Sequence, residues 1–238
     1  AYVRLSGNTE NAEAFTSSPS HFDTVPADLK ARGDWCFCEG INHLVLHVYI
    51  QQPWEDKKPG VNAWFGTEFN RHNTWFESSR TWIDYLRRSH FLLQQGRHVA
   101  DVAYFIGEDT PKMTGVREPE LPAGYNFDYI NAEAIEQRLR VAEGRFVLPD
   151  GTTYRLLVLP ELETMRPGLL QKICDLVAAG GAVLGPPPSR SPSLQDYPAC
   201  DDEVRRLAAD LWSRPGDRPS CRALGKGKVI GGTGIDRV

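Results

Sequence analysis

Hydrophobic positions along the first part of the chain alternate between short apolar runs and stretches with helical spacing. Asn11 to Phe15 reads as a short strand that carries Glu13 among small and apolar residues. Ile41 to Ile50 is a longer run, β-branched and aliphatic, with no proline and no charge beyond the imidazoles of His43 and His47. Such a run suits a strand covered on both faces, as in a parallel sheet. Between the two, Pro26 to Phe37 reads as a helix, with Leu29, Trp35 and Phe37 set among Lys30, Arg32 and Asp34. Strand, helix, strand at this spacing is a βαβ unit, whose crossover is expected to be right-handed. Trp82, Ile83, Leu86, Phe91 and Leu93 then recur at helical spacing, with Ser78 or Ser79 as candidate N-cap and Gly96 as the stop.

A second series follows. Val99 to Ile106 reads as a buried strand, Gly107 to Gly124 as a loop, and Asn131 to Val141 as a helix. Arg145 to Leu148 and Leu156 to Leu159 flank Asp150-Gly151 and predict a hairpin. Arg166 to Ala179 is a helix opened by Pro167 and closed by Gly180-Gly181, and Ala182 to Leu184 is a short strand. Asp201 to Trp212 is a third helix, with Cys221 to Leu224 and Lys228 to Ile230 as closing strands. Strands alternating with helices predict an open α/β domain with a largely parallel sheet. The chain therefore divides into residues 1–98 and 99–238.

The 238 residues, 41% hydrophobic and 24% charged, have the composition of an ordinary globular protein. A net charge of −4 with scattered basic residues leaves no electrostatic footprint for nucleic acid. No apolar run approaches the roughly 20 residues of a membrane span. Five cysteines, with Cys36-Phe37-Cys38 too closely spaced for a zinc knuckle, read as small reduced hydrophobes, Cys174 on the apolar face of its helix. They do not settle the compartment.

Chemistry concentrates in residues 13–75. In parallel βα folds, ligands meet the loops beyond the carboxyl ends of the strands. Glu13 stands at the end of the first strand, and His47, Gln52 and Trp54 at or just beyond the end of the second. Trp64, Glu68, Arg71, Asn73 and Trp75 follow in one loop. Indole platforms beside carboxylates, amides and a guanidinium suit a sugar: stacking takes its C–H face and polar groups its hydroxyls. Each residue also has a plainer reading. Glu13 could be a solvated loop carboxylate, Glu68 a surface ion pair with Arg71, and the indoles core packing. Asn42 is a further polar candidate. His43 reads as a hydrogen-bonded core histidine and Glu39, near the amino end of its strand, has no role.

The ordered pattern Glu13-Ala-Phe-Thr, Leu29-Lys30, Gly33-Asp34, Gly40-Ile-Asn-His43, His47, Gln52-Pro-Trp54, Phe69-Asn-Arg71, Asn73-Thr-Trp75 and Leu93-Gln-Gln-Gly96 resembles bacterial α-L-rhamnosidase-type glycoside hydrolases. The likeness is strong over about residues 9–106 and weaker to about residue 212. It implies an α/β fold: the end portion of a (β/α)8 barrel followed by a flavodoxin-like, class I glutamine amidotransferase-like domain with a parallel sheet. It implies hydrolysis of terminal glycosidic bonds with inversion, and matches Glu13 to the base or nucleophile of the carboxylate pair. It departs at Glu68, where the pattern carries a histidine. It implies a rhamnose-containing glycan as substrate and no required cofactor, although Ca²⁺ could sit near Glu68 and Asn73. A periplasmic or secreted bacterial location and a homo-oligomer through the second domain are further implications.

A full barrel takes about 200 residues or more, so the first 98 are expected to hold its last two strands. The general acid is then expected outside this chain, leaving the chain alone with little turnover. The second domain shows no amidotransferase chemistry: Pro160-Glu161-Leu162-Glu163 follows its Leu-Leu-Val-Leu strand where a cysteine is needed, and no histidine follows His98. A β-galactosidase-like hydrolase and a non-catalytic carbohydrate-binding or assembly module are the competing readings.

Overall fold

The computed structural model describes residues 11–16, 20–109, 117–212, 220–232 and 234–237. They fall into two compact units, one ending at Gly96 and the other running on from Arg97.

In the first unit, β1 (Asn11–Ala14) and β2 (His43–Leu46) pair in parallel, with Glu13 opposite Val45 and Ala14 opposite Leu46. Helix α1 (Pro26–Cys38) connects them, and α2 (Arg80–Leu93) follows a single 3₁₀ turn at Glu77–Ser79. Pro26 fits the first turn of α1 because its missing N–H would have no partner there. Asp28 closes that turn by accepting from the Val25 N–H at 3.0 Å. Side chains alternate between the faces of a strand. The even positions Ala14, Leu44 and Leu46 meet Leu29 of α1 and Trp82 and Leu86 of α2 in one apolar cluster with Phe69. Phe15, just past β1, packs 5.4 Å from Trp82. Gly33 makes room for it, since a Cβ there would lie 3.1 Å from the Phe15 ring.

Glu13 and Val45 face away from the helices, whereas His43 meets His90 of α2 with ring centroids 5.0 Å apart. Glu13 is exposed and Val45 is 48% exposed, so this strand pair is covered on one face rather than on both. The second strand is also shorter than Ile41 to Ile50. Beyond Leu46, Val48 donates to Thr67 O at 2.8 Å and Thr67 to His47 O at 3.1 Å, so the chain leaves the β1 ladder for a new partner. Ser79 does not cap α2; its hydroxyl donates to Phe76 O at 2.7 Å.

The second unit holds a six-stranded sheet. In chain order its elements are β3 (Val102–Phe105), β4 (Phe127–Ile130), α3 (Ala132–Gln137), β5 (Arg140–Ala142), β6 (Arg145–Val147), β7 (Thr153–Tyr154), β8 (Leu156–Val158), α4 (Pro167–Ala178), β9 (Ala182–Leu184), α5 (Ala199–Leu211), β10 (Ser220–Leu224) and β11 (Gly227–Gly231). The sheet order is β10-β11-β9-β8-β3-β4, parallel throughout except for antiparallel β10. Ile135, Leu169, Leu170, Ile173, Val177, Val204 and Leu211 from the three helices pack on Ala103, Leu157, Val183 and Val229. Among the described residues, no helix is long and apolar enough to cross a membrane.

Three expectations are corrected here. Asp150-Gly151 does turn a hairpin, but its second strand is Thr153–Tyr154, which pairs with β6; Leu156–Val158 joins the main sheet instead. The helix after Asn131 is six residues long and then gives way to β5. The Asn131 side chain caps it through Ala134 N at 3.0 Å, and Glu143 and Gly144, both at positive φ, turn β5 into β6 as a two-residue hairpin. Phe127–Ile130 is a strand unmarked by the sequence pattern, because its Asp128 interrupts the apolar run while accepting from the buried Tyr154 hydroxyl at 2.8 Å. Cysteine usage is also mixed: Cys174 and Cys200 are buried, whereas Cys38 and Cys221 are exposed. Burial, with Asp175 and Asp210 nearby, pushes the Cys174 thiol up to about 11, so it stays protonated and inert.

Gly227 marks the tightest approach of β11 to α4. A Cβ there would lie 2.2 Å from Val177 O and 2.3 Å from Gly181 O, backbone atoms that have no rotamer to yield. Gly227→Ala is expected to destabilise the second unit by about 2 kcal/mol or more, read by circular dichroism as a lower urea midpoint at unchanged slope.

Candidate active site

Three pieces of backbone meet at the carboxyl ends of β1 and β2. Glu13 stands one residue before the end of β1, exposed, with the Thr16 hydroxyl donating to its Oε1 at 3.2 Å. His47 N–H donates to Ala14 O at 2.9 Å and extends the ladder, so His47 follows Val45 on the face that Glu13 occupies. The loop at 64–67 closes over His47 from the third side. Phe65 stacks on the imidazole with centroids 5.2 Å apart at 23°, and Trp64 meets Phe65 edge-on at 4.5 Å. Gly66, at φ 102°, permits this closure: a Cβ would come within 2.9 Å of His47 Nδ1. Thr67, fully buried, ties the loop back to β1 by donating to Phe15 O at 2.7 Å.

Register thus puts Glu13 and His47 on one face of the strand pair, while Trp64, 80% exposed, meets Phe65, the ring stacked on His47. His47 Nδ1 is buried and has no hydrogen-bond partner among the described residues. The arrangement offers an acceptor carboxylate, an imidazole and an open aromatic surface, which together can bind a hydroxylated ring and take a proton.

The remaining candidates are placed differently. Gln52 is buried, and its amide holds its own loop: Nε2 donates to Ile50 O and Val61 O, and Oε1 accepts from Val61 N at 2.9 Å. Arg71 clamps the same loop, donating to Gln52 O at 2.7 Å and pairing with Glu55 at 2.9 Å. Trp54 on that loop is 49% exposed, with the Lys57 ammonium 4.8 Å above its ring. Glu68 is 4% exposed and pairs with His21 Nδ1 at 2.6 Å and Phe22 N–H at 3.0 Å, not with Arg71. Asn73 Nδ2 donates to Glu68 O at 3.1 Å. Trp75 donates to Thr24 O at 2.9 Å and packs edge-on against Phe69. Asn42 is buried, and its backbone oxygen accepts from Gln94.

The fit to calcium near Glu68 and Asn73 is poor. Both Glu68 oxygens already accept protein hydrogen bonds, leaving Asn73 Oδ1 as the buried oxygen without a partner among the described residues. Among the described residues, no group of three or more His, Cys, Asp or Glu could hold a metal ion. Thr16, Phe65, Gly66 and Thr67 are the contributors that pattern reading left without a role. Thr16 lies inside the Glu13-Ala-Phe-Thr motif and Phe65 directly follows Trp64, but only the ladder shows that they converge.

Similarity to known proteins gives the family of this α/β chain. The sequence profile of the alpha-L-rhamnosidase glycoside hydrolases matches residues 5–238. The chain belongs to that family. A rhamnosidase from Novosphingobium sp. PP1Y superimposes with a TM-score of 0.83 at 36% identity, over 97% of this chain and 22% of its own. A Formosa agariphila protein named "Putative beta-glucuronidase" is 43% identical over 205 residues, which is 85% of this chain and 17% of that protein. The chain thus spans about a fifth of the length of these relatives.

The far edge of β2 carries a pH-sensitive contact. Leu44 N–H donates to His90 Nε2 on α2 at 3.1 Å, which requires that nitrogen to be unprotonated. Burial, with His43 nearby, holds the His90 pKa below the ordinary histidine range. The unfolded chain then takes up a proton before the folded one does, so the contribution of neutral His90 is complete above the ordinary value of about 6.5 and falls as pH drops below it. Five of the six tryptophans lie before Gly96, so tryptophan fluorescence reports chiefly on this unit. The urea midpoint is expected to fall between pH 7.5 and 5.5, and His90→Gln is expected to flatten that dependence.

Proposed function

We propose that the full-length gene product hydrolyses terminal α-linked L-rhamnosides, with Glu13 as one of its two catalytic carboxyl groups. The observation that carries this is the exposed Glu13 carboxylate on the face of β1 that the ladder register shares with His47, whose ring stacks on Phe65. Glycoside hydrolysis breaks the bond between the anomeric carbon and the leaving oxygen. One carboxylic acid protonates that oxygen while the other carboxylate takes a proton from the attacking water, giving inversion. Glu13 takes the second role, and the general acid comes from another strand of the barrel to which β1 and β2 belong as the end portion. The exposed Trp64 is the sugar platform, with Trp54 a second one at the rim. Gln52, Arg71, Glu68, Asn73 and Trp75 shape the loops that carry these platforms.

The second unit, in this reading, is a flavodoxin-like domain related to amidotransferases and without their chemistry, acting as a buttress or as a surface for self-association. Pro160-Glu161 follows β8 where a nucleophile would stand. The name of the Formosa agariphila relative supports a second reading, a β-glucuronidase. A panel of aryl glycosides carrying rhamnose, glucuronate and galactose separates these.

Glu13→Gln in the full-length product is expected to lower kcat on the preferred aryl glycoside by about 10³-fold or more, with sugar affinity by calorimetry unchanged. A binding module would lose neither, and full activity in the variant rejects the assignment. Trp64→Ala is expected to weaken sugar binding by roughly tenfold, the scale of one aromatic contact.

A further inference from the structure

Burying a carboxylate is costly unless partners take its charge and its lone pairs. Glu68 has two such partners, and both come from one dipeptide. His21 Nδ1 lies 2.6 Å from its Oε1, and Phe22 N–H donates to its Oε2 at 3.0 Å. To aim both groups at one carboxylate, the backbone holds Phe22 at φ 60°. A bulky side chain is strained in that left-handed region. The turn lies at the surface, where water could have served the Phe22 N–H without this strain. Stability is a weak reason for the arrangement, because apolar residues of the same volume often replace a buried ion pair without loss. What it does secure is the direction of one ring. The His21 side chain is 48% exposed, with buried Glu68 behind it. Nδ1 is committed to Glu68, and Nε2 makes no hydrogen bond among the described residues.

The pair hangs on the backbone junction that carries Glu13 and His47. His21 belongs to the loop that leaves the carboxyl end of β1. Glu68 directly follows Thr67, whose hydroxyl donates to Phe15 O, two residues beyond Glu13, and whose N–H donates to His47 O. Trp75 Nε1 donates to Thr24 O and fixes the far side of the His21 loop. Loops at this end of the strands are where ligands of parallel βα folds bind.

Resting on the glycoside hydrolase reading of this site, we propose that His21 is a further sugar-binding residue, its Nε2 hydrogen-bonded to a substrate hydroxyl. Glu68 is the residue that positions the ring. A hydroxyl fits this nitrogen in either protonation state, since it both donates and accepts; a carboxylate or an ammonium fits only one. The pair therefore selects a hydroxyl at one position of the sugar.

His21→Asn separates binding from support, because the amide NH₂ can replace Nδ1 against Glu68 while nothing replaces Nε2. In the full-length gene product this variant is expected to keep the wild-type urea midpoint. It is expected to bind sugar about fivefold more weakly by calorimetry, the scale of one hydrogen bond. The probes are L-rhamnose and its monodeoxy analogues, or D-glucuronate and its own where the aryl glycoside panel selects that sugar. Wild type is expected to bind one deoxy analogue about fivefold more weakly than the parent sugar, and His21→Asn to bind the two alike. Glu68→Gln, which keeps the shape of the side chain, is expected to weaken the parent sugar and not that analogue, because its effect passes through His21. Undiminished affinity in His21→Asn overturns the proposal. So does an equal loss for every analogue, which would mark a purely structural residue. Full activity of Glu13→Gln would reject the carboxylate assignment and leave this comparison of affinities intact.

Discussion

The parallel register of β1 and β2 is the constraint on which the first unit depends. With Glu13 opposite Val45, Ala14, Leu44 and Leu46 turn toward α1 and α2 while Glu13 and Val45 turn away. A slip of one residue would drive the Glu13 carboxylate into the cluster of Leu29, Trp82 and Leu86 and expose Leu44. Burying an unpaired carboxylate there would be prohibitive. The same apolar contacts that stabilise the unit therefore hold the carboxylate on the open face. His90 reinforces the register from the far edge by accepting the Leu44 N–H that β1 cannot reach.

Most of the polar residues in the loops act on backbone. A long loop that folds over itself buries N–H and C=O groups, each of which destabilises by about 1–3 kcal/mol if left unpaired. Gln52 satisfies three such bonds, Arg71 satisfies Gln52 O, Glu68 satisfies Phe22 N–H, and Asn73 satisfies Glu68 O. These bonds hold the loops in place, and in the proposed sugar site the exposed Trp64 would depend on that support.

The second unit shows the opposite economy, with glycine in place of side chains wherever backbone segments approach. At the carboxyl end of its sheet, where a ligand of this fold class would sit, Glu108 accepts from the Arg166 N–H and guanidinium, and Arg166 also reaches Glu136 at 3.0 Å. Charges that could have faced a ligand are paired with one another. Lys226 and Lys228, exposed near the amino end, pair with no carboxylate among the described residues.

The sequence by itself determined the βαβ start, the alternation of strands and helices after Val99, and the family. Those features are local: apolar spacing, proline and glycine punctuation, and short ordered motifs survive without knowledge of distant contacts. Tertiary structure alone decided which candidates converge. Gln52 and Glu68 have the chemistry of sugar ligands, yet Val61 and His21 claim them, because a buried polar group binds the nearest partner the fold supplies. Likewise Asp150-Gly151 carried a turn signal as clear as any in the chain, but its partner strand followed from the burial of Tyr154 against Asp128, a contact 26 residues apart that no local pattern encodes.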